Sequence, residues 1–398
     1  MYETATVGDI GCNVEPMFGR HGEESRADRP RMVSRRRALS AGGILLGAGV
    51  LSARAAGRAP ASPPAGDIVP KGIAVDAPWH AKVREAGYVA KTAEIDGVRF
   101  GYREGPASGP ALVLLHAQQM DWFSYSRVLP ALAADYHVFD IDYQGHGGTR
   151  TPAGYPMAAN RIGADLAALL DSVVGRPAYV TGNSSGGLLA AWLAAERPDL
   201  VTAVLLEDPP LFASEYPRIE QTIAYRDFAS SHKAIGQHVD DFLLFWIDDS
   251  REFFDNNVFP GSNVVLADAV RAQRLLRPGV PVELDIVGND MIRLFLRGMD
   301  HQYDPAFGDA FYRGTWNEGF DHAAALARIT APTMLLHANY SWVDGDILYG
   351  AMDQQDADRA MSLLPNGFYQ RIDAEHVTHL DAPAQFTAIA RSFFPAHP

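Results

Sequence analysis

From residue 111 onward, short runs of buried-type strand alternate with helical patterns: strand 111–116, helix 122–134, strand 137–142, helix 157–174, strand 178–183, helix 185–196, strand 201–207. A helix between consecutive strands returns the chain to the start of the sheet, so this alternation predicts an α/β fold with a mostly parallel sheet covered on both faces by right-handed crossovers. Helix 157–174 fits, since Ile162, Leu166, Leu169 and Val173 share one face at helical spacing. Ahead of it, 88–95 and 98–103 read as a hairpin turned by Asp96-Gly97. The alternation stops between Phe212 and about Gly319, where the chain is aromatic, acidic and helical, for example at 240–246 and 264–276. It resumes with strand 332–337, helix 353–364, strand 368–372 and helix 383–394. The expected division is therefore a core of 88–211 and 320–398, with 212–319 inserted as a helical cap over the carboxyl ends of the strands. Among the aromatics of that insert, Phe242, Phe245, Trp246, Phe253, Phe254, Phe311 and Trp316 are candidates to line an apolar pocket, although most aromatics of such a segment fill its own core.

A chain of 398 residues, 47% hydrophobic and 21% charged, can bury a full core. Its formal net charge of −14 argues against a nucleic-acid partner, because a phosphate backbone needs a basic face. Cys12 is the single cysteine, which excludes internal disulfides, a cysteine zinc site and a thiol nucleophile in the body of the protein. Near the start, Ser34-Arg35-Arg36-Arg37-Ala38-Leu39-Ser40, an apolar run 41–51 and Ala53-Arg54-Ala55 read as a twin-arginine export signal over 32–55, cleaved after Ala55. The apolar run is shorter than the roughly 20 residues a membrane span needs. Residues 1–31 read as an over-extended start ahead of Met32, and 56–87 as a linker and N-terminal extension. The expectation is a periplasmic or secreted protein, free of the membrane once the signal is removed.

Within the alternating part, Thr181-Gly182-Asn183-Ser184-Ser185-Gly186-Gly187 places a serine inside G-x-S-x-G, between strand-like Ala178-Tyr179-Val180 and a helix rich in Leu and Ala. A strand that turns at once into a helix strains the backbone at the turn residue, and glycines two positions to either side let neighbouring backbones pass closely. Ser184 is the candidate nucleophile. Ser185 lacks the preceding glycine and is assigned a backbone role. A serine hydroxyl is a poor nucleophile at neutral pH and needs a base and a group to orient that base. His376, in Asp373-Ala374-Glu375-His376-Val377-Thr378-His379-Leu380-Asp381, follows the last strand and is the candidate base; His379 is read as packing the same loop.

Taken together these motifs resemble the α/β-hydrolase superfamily over roughly 88–211 and 320–398. Leu114-Leu115-His116-Ala117-Gln118 resembles the oxyanion turn, with Ala117 where glycine is usual, and Asp142-Tyr143-Gln144-Gly145-His146-Gly147-Gly148-Thr149 resembles the loop after the next strand. Gly182 to Gly186 is similar to the nucleophile elbow, and His376 to Pro383 to the histidine segment, with Glu375 in place of glycine. The resemblance implies an eight-stranded sheet and an oxyanion held by the backbone N–H groups of Ser185 and Gln118. It implies an acid as well. Where the family's usual aspartate would stand, the run is Ala338-Asn339-Tyr340-Ser341, with Asp344 and Asp346 slightly beyond. Some members carry the acid instead at the end of the strand after the elbow helix, where Glu207 stands. Glu207 is the first candidate and Asp344 the second, while Asp208 is expected to point to the opposite side by strand alternation.

The resulting expectation is a cofactor-free, metal-free serine hydrolase acting on a carboxylic ester or lactone of a bulky apolar small molecule, with Trp122 and Trp246 in substrate binding. Amide, carbon–carbon bond and cofactor-free haloperoxidase-type reactions use the same three residues. A different class of reading keeps the fold as a non-catalytic binder of small molecules.

Overall fold

Residues 76–285 and 290–398 of the computed structural model are described, so the twin-arginine reading of 32–55, the over-extended start at 1–31 and most of the linker lie outside the described residues. The chain order begins with helix α1 (Ala77–Glu85), followed by strands β1 (Val89–Ile95) and β2 (Val98–Glu104). Asp96 and Gly97 between them have φ of 48° and 83°, the paired positive values of a tight hairpin turn. β3 (Ala111–Leu115) leads into a 3₁₀ turn at Trp122–Arg127 and the short α2 (Leu129–Leu132). The sequence pattern predicts a continuous helix over 122–134, and Pro130 explains the break, since its ring would meet the carbonyl four residues back in a continuous α-helix. Then come β4 (His137–Asp142), α3 (Ala159–Leu169) ending in a π turn, β5 (Ala178–Asn183), α4 (Ser185–Glu196) and β6 (Val201–Glu207).

The insert supplies α5 (Ile223–Gln237), α6 (Phe242–Asp249), α7 (Arg251–Asn257), α8 (Ser262–Leu276), α9 (Asp290–Met299) and α10 (Ala306–Tyr312). After α11 (His322–Arg328) and β7 (Thr333–His337), a two-stranded ribbon of β8 (Ser341–Val343) and β9 (Ile347–Tyr349) stands apart from the main sheet. The chain closes with α12 (Gln354–Leu363), β10 (Gly367–Arg371), α13 (Thr378–Asp381) and α14 (Pro383–Phe393). No helix among the described residues is long and apolar enough to cross a membrane.

The eight strands of the main sheet run in the order β1-β2-β4-β3-β5-β6-β7-β10, antiparallel at β1-β2 and β2-β4 and parallel from there on. Strand alternation divides the apolar side chains between the faces. Val113, Leu115, Val204 and Leu206 join one core cluster, and Leu112, Leu114, Ala203 and Leu205 the other. The insert rests on the loops that leave β3 and β4. The Asp304 N–H donates to the Gly145 carbonyl at 2.8 Å, Phe307 meets the His146 ring edge-on, and a methyl group at Gly298 would overlap the backbone of Gln119. Phe311 and Trp316 stack on each other in full burial, so these two aromatics fill the insert's own core.

Candidate active site

Ser184 stands between β5 and α4 with φ 57° and ψ −122°, a conformation that L-residues adopt only under constraint. The constraint is visible in the glycines. A Cβ at Gly182 would overlap the Gly186 carbonyl, and one at Gly186 would overlap the carbonyls of Leu115 and His116. The second contact presses the elbow against the end of β3, which brings the first turn of α4 against the Ala117-Gln118 turn. That turn is tight: Met120 N–H donates to the Ala117 carbonyl at 3.3 Å and Gln119 has φ 60°. The Ser185 hydroxyl is hydrogen-bonded to the Tyr143 hydroxyl at 2.9 Å.

The loop after β4 is held by Asp142, whose two carboxylate oxygens accept the N–H groups of Trp122 and Gly148, each at 2.7 Å. Burial pushes that carboxyl up to about 6, with Asp121 adding to the rise and the two N–H groups opposing it. His116, enclosed beneath, is pulled down to about 4 by desolvation and is neutral at physiological pH.

β5 and β6 end abreast, with Asn183 opposite Glu207, and the Ser184 N–H donates to the Glu207 carbonyl at 3.1 Å. The Asn183 carboxamide donates to the carbonyls of both Glu207 and His376, at 3.1 and 2.9 Å. The residue before the serine thus ties the His376 loop to the elbow. His376 lies between β10 and α13, with 27% of its side chain exposed.

The acid assignment from sequence is corrected. Asp208, not Glu207, meets His376: its Oδ2 lies 2.7 Å from the imidazole Nδ1. Its Oδ1 accepts the Ala338 N–H at 3.1 Å, and its own N–H donates to Leu336, so the carboxylate is held from β7. Glu207 points to the other side of the strand end and binds His379 instead. Its Oε1 accepts the Thr378 hydroxyl at 2.7 Å and the His379 N–H at 2.9 Å, while His379 Nδ1 lies 2.8 Å from both oxygens. Burial opposes ionisation of Glu207, but His379, Thr378 and the backbone N–H outweigh it and hold its carboxyl below the ordinary value. The second candidate, Asp344, is corrected too: it sits at the exposed β8–β9 turn, paired with Arg226 at 2.7 Å. The reason is local backbone geometry. The strand ends at Glu207, and Asp208 turns away with φ 45°, toward the edge where the loop after β10 crosses.

Of the two tryptophans assigned to substrate binding, Trp122 has other neighbours. Its ring lies 4.2 Å beneath the Arg103 guanidinium, and the cleft it lines contains Lys91, Arg99, Asp142 and Gln302 but neither Ser184 nor His376. Trp246 is buried in the insert, its indole N–H donating to Asp227 at 2.7 Å. Asp227 escaped the sequence reading, since an acid in an acidic helical stretch reads as solvated. A carboxyl on the inner face of an amphipathic helix, four residues before Ser231, was the signal that could have found it. Among the described residues, no group of three or more His, Cys, Asp or Glu is arranged to hold a metal ion.

An eight-stranded, mostly parallel sheet, a strained serine at the strand-helix turn and a carboxylate-bound histidine on the loop after the last strand define the class. The chain belongs to the α/β-hydrolase fold family, whose model matches residues 110–383. It is similar to the magnesium-chelatase 30 kDa subunit of Rhodobacter capsulatus, 37% identical over 24% of this chain and 33% of that one. It is also similar to lipase LipV of Mycobacterium tuberculosis, 38% identical over 30% of this chain and 45% of the lipase. In both cases the match spans less than half of the relative's length. Among solved structures, a hydrolase from Pseudomonas aeruginosa PA01 superimposes with a TM-score of 0.55 at 21% identity, covering 76% of this chain and 97% of that one, a likeness of fold.

Proposed function

We propose that the protein is a serine hydrolase that cleaves a carboxylic ester or lactone of a bulky apolar small molecule through an acyl-enzyme on Ser184. The observation that carries the reading is the short contact between His376 and Asp208 on a loop tied by Asn183 to the strained serine turn. Ser184 Oγ attacks the carbonyl carbon while His376 Nε2 takes its proton. Asp208, bonded at Nδ1, holds the ring in the required tautomer and stabilises its cation. The N–H groups of Ser185 and Gln118 receive the developing oxyanion, a contact worth about 2.7–4 kcal/mol per donor in comparable sites. As the intermediate collapses, the carbon–oxygen bond to the leaving alcohol breaks and His376 returns the proton to that oxygen. Water, deprotonated by the same imidazole, then releases the acid and restores the hydroxyl.

The lipase among the relatives supports an ester substrate in name, and the aromatic insert above the site supports an apolar one. The reading includes export through residues 32–55, which mass spectrometry of secreted protein starting at Ala56 would support. The decisive test is incubation with a fluorophosphonate. A covalent adduct on Ser184, absent in Ser184→Ala, is expected; a folded protein that gains no adduct and turns over no p-nitrophenyl ester or lactone points instead to the non-catalytic binder.

A further inference from the structure

Asp227 is half-buried, and among the described residues no ion pair neutralises it. It lies on the inner face of α5, in line with the buried Ser231 one turn on. Trp246 donates its indole N–H to Oδ1 from α6, and the Gln119 side chain lies beside it from the oxyanion turn below. Tyr303, whose hydroxyl is 3.5 Å from that of Ser231, completes the surround and packs on His146, which in turn accepts the Gln119 N–H. These groups join the insert to the residue that follows Gln118 in the chain. No Lys, Arg or His among the described residues figures in the electrostatics of the Asp227 carboxyl, which burial pushes up to about 6 against the pull of Trp246 and Gln119. The residue is partly exposed, whereas its neighbours Phe228 and Ser230 are buried.

A carboxylate drawn partly out of water without a cation costs stability, because the hydration it loses is returned only by hydrogen bonds. If its purpose were to hold Trp246 alone, a neutral acceptor would do the same at lower cost. Such a group is explained when a ligand supplies the missing charge.

From this arrangement we infer that Asp227 is a recognition subsite for a positively charged amine on the substrate, held by the insert above the oxyanion turn while the carbonyl lies at Ser184. The inference rests on the proposed hydrolase reading for the position of the carbonyl, yet the subsite can be tested without turnover.

Two measurements address it. In the first, kcat/KM is compared for p-nitrophenyl 6-aminohexanoate and p-nitrophenyl hexanoate, in the full chain and in Asp227→Asn, which keeps an acceptor for Trp246. The aminohexanoate-to-hexanoate ratio is expected to fall at least tenfold in the variant; a ratio unchanged within twofold overturns the subsite. In the second, n-hexylammonium and 1-hexanol are titrated into Ser184→Ala by calorimetry, so that neither catalysis nor the folding of an Asp227 variant is needed. Hexylammonium is expected to bind at least tenfold more tightly, and equal or weaker binding overturns the inference. Ester turnover without any preference for the amine removes the subsite and leaves the hydrolase reading standing. Tight ammonium binding in a protein that hydrolyses no ester does the reverse.

Discussion

Two carboxylate–histidine pairs stand side by side at the carboxyl end of β6, built from adjacent acids, Glu207 and Asp208, and from histidines three residues apart, His379 and His376. Their contact distances are nearly equal, 2.8 and 2.7 Å. Their surroundings are not. The Glu207–His379 side chains are fully buried, His379 is stacked at 3.7 Å on Tyr125, and its Nε2 is enclosed without a hydrogen-bond partner. His376 keeps 27% of its side chain in solvent, above a fully buried Asp208. A base must exchange protons with substrate and water, and only the pair with an open face can do so. The enclosed pair instead pins the loop: Thr378 and the His379 backbone are bonded to Glu207, and that same loop carries His376. In the proposed reading, chemistry and anchorage are thus divided between neighbouring residues by which side of the strand end each faces.

The largest test of this division is Asp208→Asn. The amide favours the wrong imidazole tautomer, so kcat is expected to fall about 10³–10⁴-fold with little change in thermal midpoint, read from ester hydrolysis and calorimetry. If Asp208→Asn stays within tenfold of the native rate while Glu207→Gln loses the activity, the two pairs have been assigned the wrong way round.

Glu207→Ala is expected to do the opposite. Stripping a buried partner from His379, Thr378 and the backbone N–H should cost about 3–5 kcal/mol of stability in chemical unfolding. The fraction that remains folded should still hydrolyse ester within roughly an order of magnitude of the native rate.

The pairs also differ in acid. The Glu207 carboxyl is held below its ordinary value, so its stabilisation is present above the unfolded-state value near 4.5 and is lost as pH falls through the lower folded value. Unfolding followed from pH 6 to pH 2 should therefore show a weaker acid dependence in Glu207→Ala than in the native protein; parallel curves would show that the pair is not what acid breaks.

Access can be probed directly with diethyl pyrocarbonate, which should modify His376 and spare His379, as peptide mapping by mass spectrometry can establish. The smallest effect belongs to Asp344→Asn. Its exposed pairing with Arg226 is expected to contribute no more than about 0.5 kcal/mol, and the variant should retain full turnover.

Much of this architecture was legible in the chain. The Asp96-Gly97 hairpin, the parallel strands from 111 on and the glycine-flanked serine follow from local chemistry, and each appears where it was expected. Pro130 is equally readable as a break in the helical run after β3. The β8–β9 ribbon was not, because strands of three residues carry too little periodicity to be seen. The acid failed for a different reason. Strand alternation correctly separated Glu207 from Asp208, but nothing along the chain says which side of the strand end the loop after β10 will cross.

Local sequence, then, determined the alternation, the turn that strains Ser184 and the histidine-bearing loop, because each depends on neighbours within a few residues. Tertiary structure alone decided that Asp208 bonds to His376, that Glu207 bonds to His379 and that Asp227 lies beside Gln119. Those choices join residues more than a hundred positions apart, and they depend on which face of a strand end or helix is turned toward which neighbour, a quantity that exists only after the layers have packed.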